Sequence, residues 1–110
     1  MKLTGKARQK FEKWLSLNSL SYKLGAITDY VGLRELYALP EAMQFGVYVD
    51  FADSVGCNVG INKYNDSEKK VDFIWFILAY DILERDFCKN RPEARTAAIE
   101  KFNEIYNKMN

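Results

Sequence analysis

The sequence predicts an α+β domain: N-terminal helices, a three-stranded antiparallel sheet, and a long C-terminal helix packed on that sheet. Three observations carry this reading. The stretch Asn90–Met109 has helical spacing and its own start signal, the run Val71–Tyr80 is dense in β-branched and aromatic residues, and beyond Gly56 the apolar period drops to two.

The first element runs from Thr4 to Leu17, where Ala7, Phe11, Trp14 and Leu15 form an apolar stripe at helical period. Lys6, Lys10 and Lys13 line the adjoining face, with Lys2 nearby, so the helix is amphipathic and basic. Between residues 18 and 39 the pattern is loose. Leu20, Tyr22, Leu24 and Ile27 alternate only roughly, Gly25 and Gly32 interrupt, and a short helix fits around Leu33–Tyr37. Leu39-Pro40-Glu41 restarts a helix, with proline in the first turn and a carboxylate near the positive helix end. Met43, Val47, Phe51 and Val55 repeat every four residues, and Gly56 supplies a left-handed C-terminal cap. Phe45, Val47, Val49 and Phe51 also alternate as a strand would, but Asp50, Asp53 and Ser54 suit a strand poorly, which favours the helix.

Cys57, Val59 and Ile61 then alternate with Asn58, Gly60 and Asn62, as in a half-buried strand. Residues 64–70, Tyr-Asn-Asp-Ser-Glu-Lys-Lys, read as a polar turn. In the next strand Val71, Phe73, Trp75, Ile77 and Ala79 face one side, and Ile74, Phe76, Leu78 and Tyr80 the other. Val71, Ile74, Trp75, Leu78 and Ile82 also fit a buried helix over 71–86, and the aromatic and β-branched density favours the strand. A turn at Tyr80-Asp81 and a strand over Leu83–Cys88 complete a hairpin. In the last helix Asn90 caps, Pro92 sits in the first turn, and Glu93 stands three residues after the cap. Ala94, Ala98, Phe102, Ile105, Tyr106 and Met109 share one face.

The 110 residues make one domain, 1–110, long enough for a single core without staples. With 48% hydrophobic and 15% aromatic residues the chain is globular. A net charge of +1 removes the strongest global argument for a nucleic-acid or membrane partner. The N-terminus has no apolar signal-peptide core and no window reaches membrane-span length, so the expected compartment is the cytoplasm and no membrane partner is expected.

Histidine is absent, which excludes Ser-His-Asp and Cys-His nucleophile pairs, HExxH zinc sites and any histidine base. Cys57 and Cys88 stand far apart outside any CxxC context and read as small buried hydrophobes. Asp50 with Asp53, and Asp81 with Glu84 and Asp86, are the carboxylate groups that could hold a cation or move a proton. Neither comes with a phosphate loop or a recognised metal spacing, so no catalytic residue, metal or cofactor is expected. Gly56-Cys57-Asn58-Val59-Gly60 precedes no helix start and is not a nucleotide fingerprint. The best anion site is the start of the last helix, where Lys89, Arg91 and Arg95 gather near free backbone N–H groups; Lys69 and Lys70 fit the same edge.

Two stretches carry a resemblance. Glu41-Ala-Met-Gln-Phe-Gly-Val-Tyr-Val-Asp-Phe-Ala-Asp-Ser-Val-Gly56 and Arg91-Pro-Glu-Ala-Arg-Thr-Ala-Ala-Ile-Glu-Lys-Phe-Asn-Glu-Ile-Tyr-Asn107 resemble a group of small uncharacterised proteins from phages and prophages of gut Bacteroidota. With the aromatic hairpin the resemblance covers residues 39–109. It implies a phage or mobile-element origin and the strand reading of 71–88, and carries no activity. A likeness of order is also present: a helix, three strands and a C-terminal helix containing Glu93-Ala94-Arg95 is similar to the double-stranded-RNA-binding domain. In that family basic residues at the start of the last helix reach phosphates, and shape is read more than sequence. Lys89, Arg91 and Arg95 fall in that region, although Asn90-Arg91-Pro92 replaces the family's lysine pair and its Gly-Pro-x-His loop is missing.

The function expected is that of a small non-enzymatic, phage-derived interaction protein that binds a host or phage macromolecule, inhibition of a host defence complex being one form of it. The partner expected is an unidentified protein, with nucleic acid the alternative. One geometric problem follows from the two apolar faces of Val71–Tyr80: the last helix covers only one. The other calls for the first helix, through Phe11 and Trp14, or for a homodimer or partner interface.

Overall fold

A computed structural model describes residues 2–18, 33–66 and 71–110. Its elements are α1 (Gly5–Asn18), α2 (Leu33–Ala38), α3 (Glu41–Ser54), β1 (Asn58–Asp66), β2 (Val71–Ala79), β3 (Ile82–Cys88) and α4 (Arg91–Met109). The strands form one antiparallel sheet in the order β1-β2-β3. The α+β expectation holds, with α4 lying across one face and touching all three strands.

Each boundary has a local cause. At the end of α3 the Gly56 N–H donates to the Asp53 carbonyl and the Cys57 N–H to the Ala52 carbonyl, which is the Schellman pattern. It needs the positive φ of 80° that Gly56 adopts at no steric cost. The hairpin between β2 and β3 turns on Tyr80 and Asp81, both at positive φ (51° and 65°), as the primed two-residue turn requires. Asn90 Oδ1 accepts the Glu93 N–H at 2.9 Å and starts α4, with Pro92 in its first turn.

The core lies between the sheet and the helix layer. Val59, Trp75, Ile77 and Ala79 point into it from the sheet, and Ala94, Ala98, Ile99, Phe102, Ile105 and Tyr106 from α4. The small side chains of Ala94 and Ala98 let the helix backbone approach the strands. Phe11, Tyr48, Phe51 and Phe102 are fully buried, and Phe51 is the hub: its ring meets Phe11 edge-on at 5.3 Å and Phe102 at 6.0 Å.

Three expectations need correction. The turn expected from Tyr64 begins later, because β1 continues through Asp66 across a register shift after Lys63. Ladder pairing and the Tyr64 ring, which meets Phe87 at 4.9 Å, outweigh the poor strand propensity of Asn65 and Asp66. Met43 and Met109 are exposed, not core. A four-residue repeat drifts by about 40° per step on a helix, so in α3 Val47 and Phe51 stay inward, and Gln44, Tyr48 and Ala52 complete the buried face. Finally, α1 does not cover the second face of the sheet. It packs against α4, and its Phe11 and Trp14 rings interleave with Tyr48 and Phe51 of α3, so α1 belongs to the helix layer. Asn103 and Asn107 of α4 hold it there. Asn103 Oδ1 accepts the Thr4 N–H and Asn107 Oδ1 the Ala7 N–H, both at 2.8 Å.

Candidate functional site

Strand alternation sends Asp72, Ile74, Phe76 and Leu78 of β2 away from the helices. The register then sets Phe87 beside Ile74, Arg85 beside Phe76 and Leu83 beside Leu78, all on that same outer face. On the other flank β1 contributes Asn62, Gly60 and Asn58, paired with the same three β2 residues. Leu83 is 61% exposed, Leu78 48% and Phe87 37%; Ile74, Phe76 and Tyr64 are half-buried around them. Among the described residues no helix lies over this face. The result is an apolar ridge along β2 and β3, broken by Arg85, beside a lower polar row of Asn58, Gly60 and Asn62 on β1. The Phe76 ring leans across Gly60, where any β-carbon would collide with it.

The two-faced character of β2 was legible in its uninterrupted apolar run. The share of Leu83, Arg85, Phe87 and Tyr64 was not, although a two-residue turn at Tyr80-Asp81 would have paired Leu78 with Leu83 and shown the first three.

Lys89, Arg91 and Arg95 stand at the start of α4. Lys89 and Arg91 are exposed and Arg95, one turn on, is half-buried. The Arg91 guanidinium stacks over the Phe73 ring at 4.9 Å, a cation–π contact that engages it within the fold. Asn90 occupies the Glu93 N–H, and Glu41, Glu93 and Glu100 line the shallow hollow on the other side of the helix start. Lys69 and Lys70 lie outside the described residues.

Of the carboxylates, Asp53 and Asp81 flank an open hollow floored by Val55, Cys57, Leu78 and Ala79. Asp50 and Asp86 do not line it, and Glu84 lies in a different groove between β3 and α4, with Lys101 and Lys108. No cluster of three or more metal-ligating side chains exists among the described residues. Cys57 and Cys88 are free thiols. Burial pushes both thiols up, with the Tyr80 hydroxyl partly opposing it at Cys57 and the Glu93 and Asp86 carboxylates adding to it at Cys88. Both are therefore poor nucleophiles. The lysine face of α1 meets the C-terminus, where Lys6 Nζ donates to the Asn110 carbonyl. No described helix is long and apolar enough to cross a membrane.

No family model, curated protein or solved structure matches the chain.

Proposed function

We propose that this chain is a small non-enzymatic interaction protein of phage origin that binds a host or phage protein through the outer face of its sheet, inhibition of a host defence complex being one form of that role. The observation that carries the reading is the apolar ridge of Leu78, Leu83 and Phe87 on a sheet whose other face already holds the whole described core. An antiparallel sheet with one solvated face ordinarily presents polar residues there, and contiguous exposed apolar patches mark contact surfaces. The separate thiols, Cys57 buried and Cys88 half-buried, and the scattered carboxylates offer no comparable constellation for chemistry.

A photo-crosslinking benzoylphenylalanine at position 83, with a matched control at Glu100, tests this in a lysate of a gut Bacteroidota strain. Cross-links to a protein chain from position 83, and not from position 100, are expected. Equal or absent cross-linking from the two positions would remove the reading.

The alternative is a nucleic-acid-binding module. Its support is the order α3-β1-β2-β3-α4 with both helices on one side of the sheet, together with Lys89, Arg91 and Arg95 at the start of α4. Replacing the three with alanine should weaken duplex RNA binding and flatten its salt dependence, because each phosphate contact releases counterions. An RNA affinity that is undetectable at low salt, or unchanged in the triple variant, would dismiss this alternative.

A further inference from the structure

We propose that the occupant of the outer sheet face is a second copy of this chain, packed face to face about a two-fold axis running along β2. This rests on the reading of that face as a protein-contact surface and narrows it: of the host and phage proteins that reading admits, the occupant of this face is the chain itself, and a host protein would meet another surface of the dimer.

The first argument is self-complementarity. A two-fold interface sets each residue's patch against its own symmetry mate. With the axis along β2, the bulky row Leu83, Arg85 and Phe87 of one copy lies over the low row Asn58, Gly60 and Asn62 of the other. Arg85 then meets asparagine side-chain oxygens able to accept its N–H groups. An axis across the strands would instead stack β3 on β3 and drive Arg85 against Arg85. The polar and apolar halves of the face favour the first arrangement: the like pair it brings together, Asp72 with its own copy, lies at the exposed start of β2 where water and salt screen it, whereas Arg85 stands mid-strand.

The second argument is area. Three strands about 4.8 Å apart, each rising about 3.3 Å per residue, present roughly 400 Å² in projection, and projecting side chains add to it. Two copies therefore bury roughly 800 Å² in projection, and the projecting side chains of Leu78, Leu83, Arg85 and Phe87 raise this to about the 1,000 Å² that a specific interface must clear. Sheets packed this way interdigitate at about 10 Å, the separation that side chains the size of Leu78, Leu83 and Phe87 span.

The third argument is that the exposed β3 edge is closed to the competing mode of self-association. Antiparallel pairing of β3 with its own copy, helices on one side, sets Arg85 against Arg85 and Glu84 against Asp86. Shifting the register by one step either way opposes Glu84 with Glu84 or Asp86 with Asp86. Like charges directly across a ladder repel. In addition, Asp86 Oδ1 already accepts the Phe87 N–H at 2.7 Å.

Sedimentation equilibrium on the full chain tests the proposal, with Leu78→Glu and Leu78→Lys variants whose thermal melts are first matched to the parent. Leu78 lies near the axis, so its two copies face each other. The parent is expected at twice its 12.8 kDa mass. Each variant alone is expected to be monomeric, with a dissociation constant raised at least about 30-fold, as for loss of an interface hot spot. Mixing the two is expected to restore the dimer, which destabilisation alone would not do. A parent that stays monomeric up to about 0.1 mM, or a dimer that survives both variants, overturns the proposal. Cross-links from position 83 distinguish the ways it can fail. Links to another protein leave the contact-surface reading standing without the second copy. Links within the chain, to residues 19–32, overturn both.

Discussion

Phe76 of β2 and Gly60 of β1 are directly paired in the ladder, and the phenylalanine ring occupies the space that a side chain on the glycine would need. The missing β-carbon thus lets the sheet cover part of its own outer face with an aromatic ring. Gly60→Ala is expected to swing the ring outward and cost about 1 kcal/mol, the low end for overpacking because only the far end of one side chain must move. Urea unfolding measures this, and a midpoint equal to the parent's would show that the ring is not held there.

Asn107 caps a helix to which it does not belong. Its Oδ1 accepts the Ala7 N–H at 2.8 Å and its Nδ2 donates to the Thr4 carbonyl at 2.9 Å, so α4 supplies the N-terminal cap of α1. Asn107→Ala is expected to cost about 1–2 kcal/mol, as for loss of a local cap. Amide exchange should quicken in the first turn of α1 before it does in the sheet. Unchanged protection at Ala7 would contradict the cap.

Phe102 is fully buried and meets Phe51 edge-on at 6.0 Å, at the junction of α4 with α3. Phe102→Ala is expected to cost about 3–5 kcal/mol, the transfer loss plus a cavity that the two helices cannot close. A thermal melt within a degree or two of the parent, which for a domain this size means well under about 1 kcal/mol, would refute the packing.

Tyr48 is buried beside Tyr37, and burial, followed by that neighbour, pushes its hydroxyl well above the ordinary tyrosine range. The unfolded chain therefore releases this proton first. Below the unfolded value of 10.0 the group costs no stability; as pH rises beyond it toward the folded value, stability is progressively lost. Tyr106 and Cys57, also raised by burial, act in the same direction, Cys57 from a lower unfolded value of 9.0. Tyr48→Phe is expected to lower the melting temperature near neutral pH, where the Tyr37 contact is lost, and to narrow or reverse that gap above pH 10. Melts across that range by circular dichroism check it, and a gap independent of pH would count against the burial of this hydroxyl.

The sequence by itself determined what short-range chemistry controls. Asn90, Pro92 and Glu93 marked the start of α4, Gly56 ended α3, and the alternation through Val71–Ala79 put Trp75 and Ile77 together on one face of β2, which the structure makes the buried one. These signals are local because caps, turns and side-chain periods involve residues a few positions apart. The basic cluster at Lys89, Arg91 and Arg95 was equally legible as a list of charges. The contact that engages Arg91 was not, since Phe73 reaches it from β2. Only the tertiary structure decided where α1 sits. Its Phe11–Trp14 stripe suited either layer, and the choice rests on contacts about a hundred residues distant in sequence, those of Asn103 and Asn107 with Thr4 and Ala7. That choice leaves the outer face of the sheet to Leu78, Leu83 and Phe87. An amphipathic helix carries no mark of which apolar surface it will meet, because burial is non-directional and the polar contacts that discriminate form only once the chain has closed.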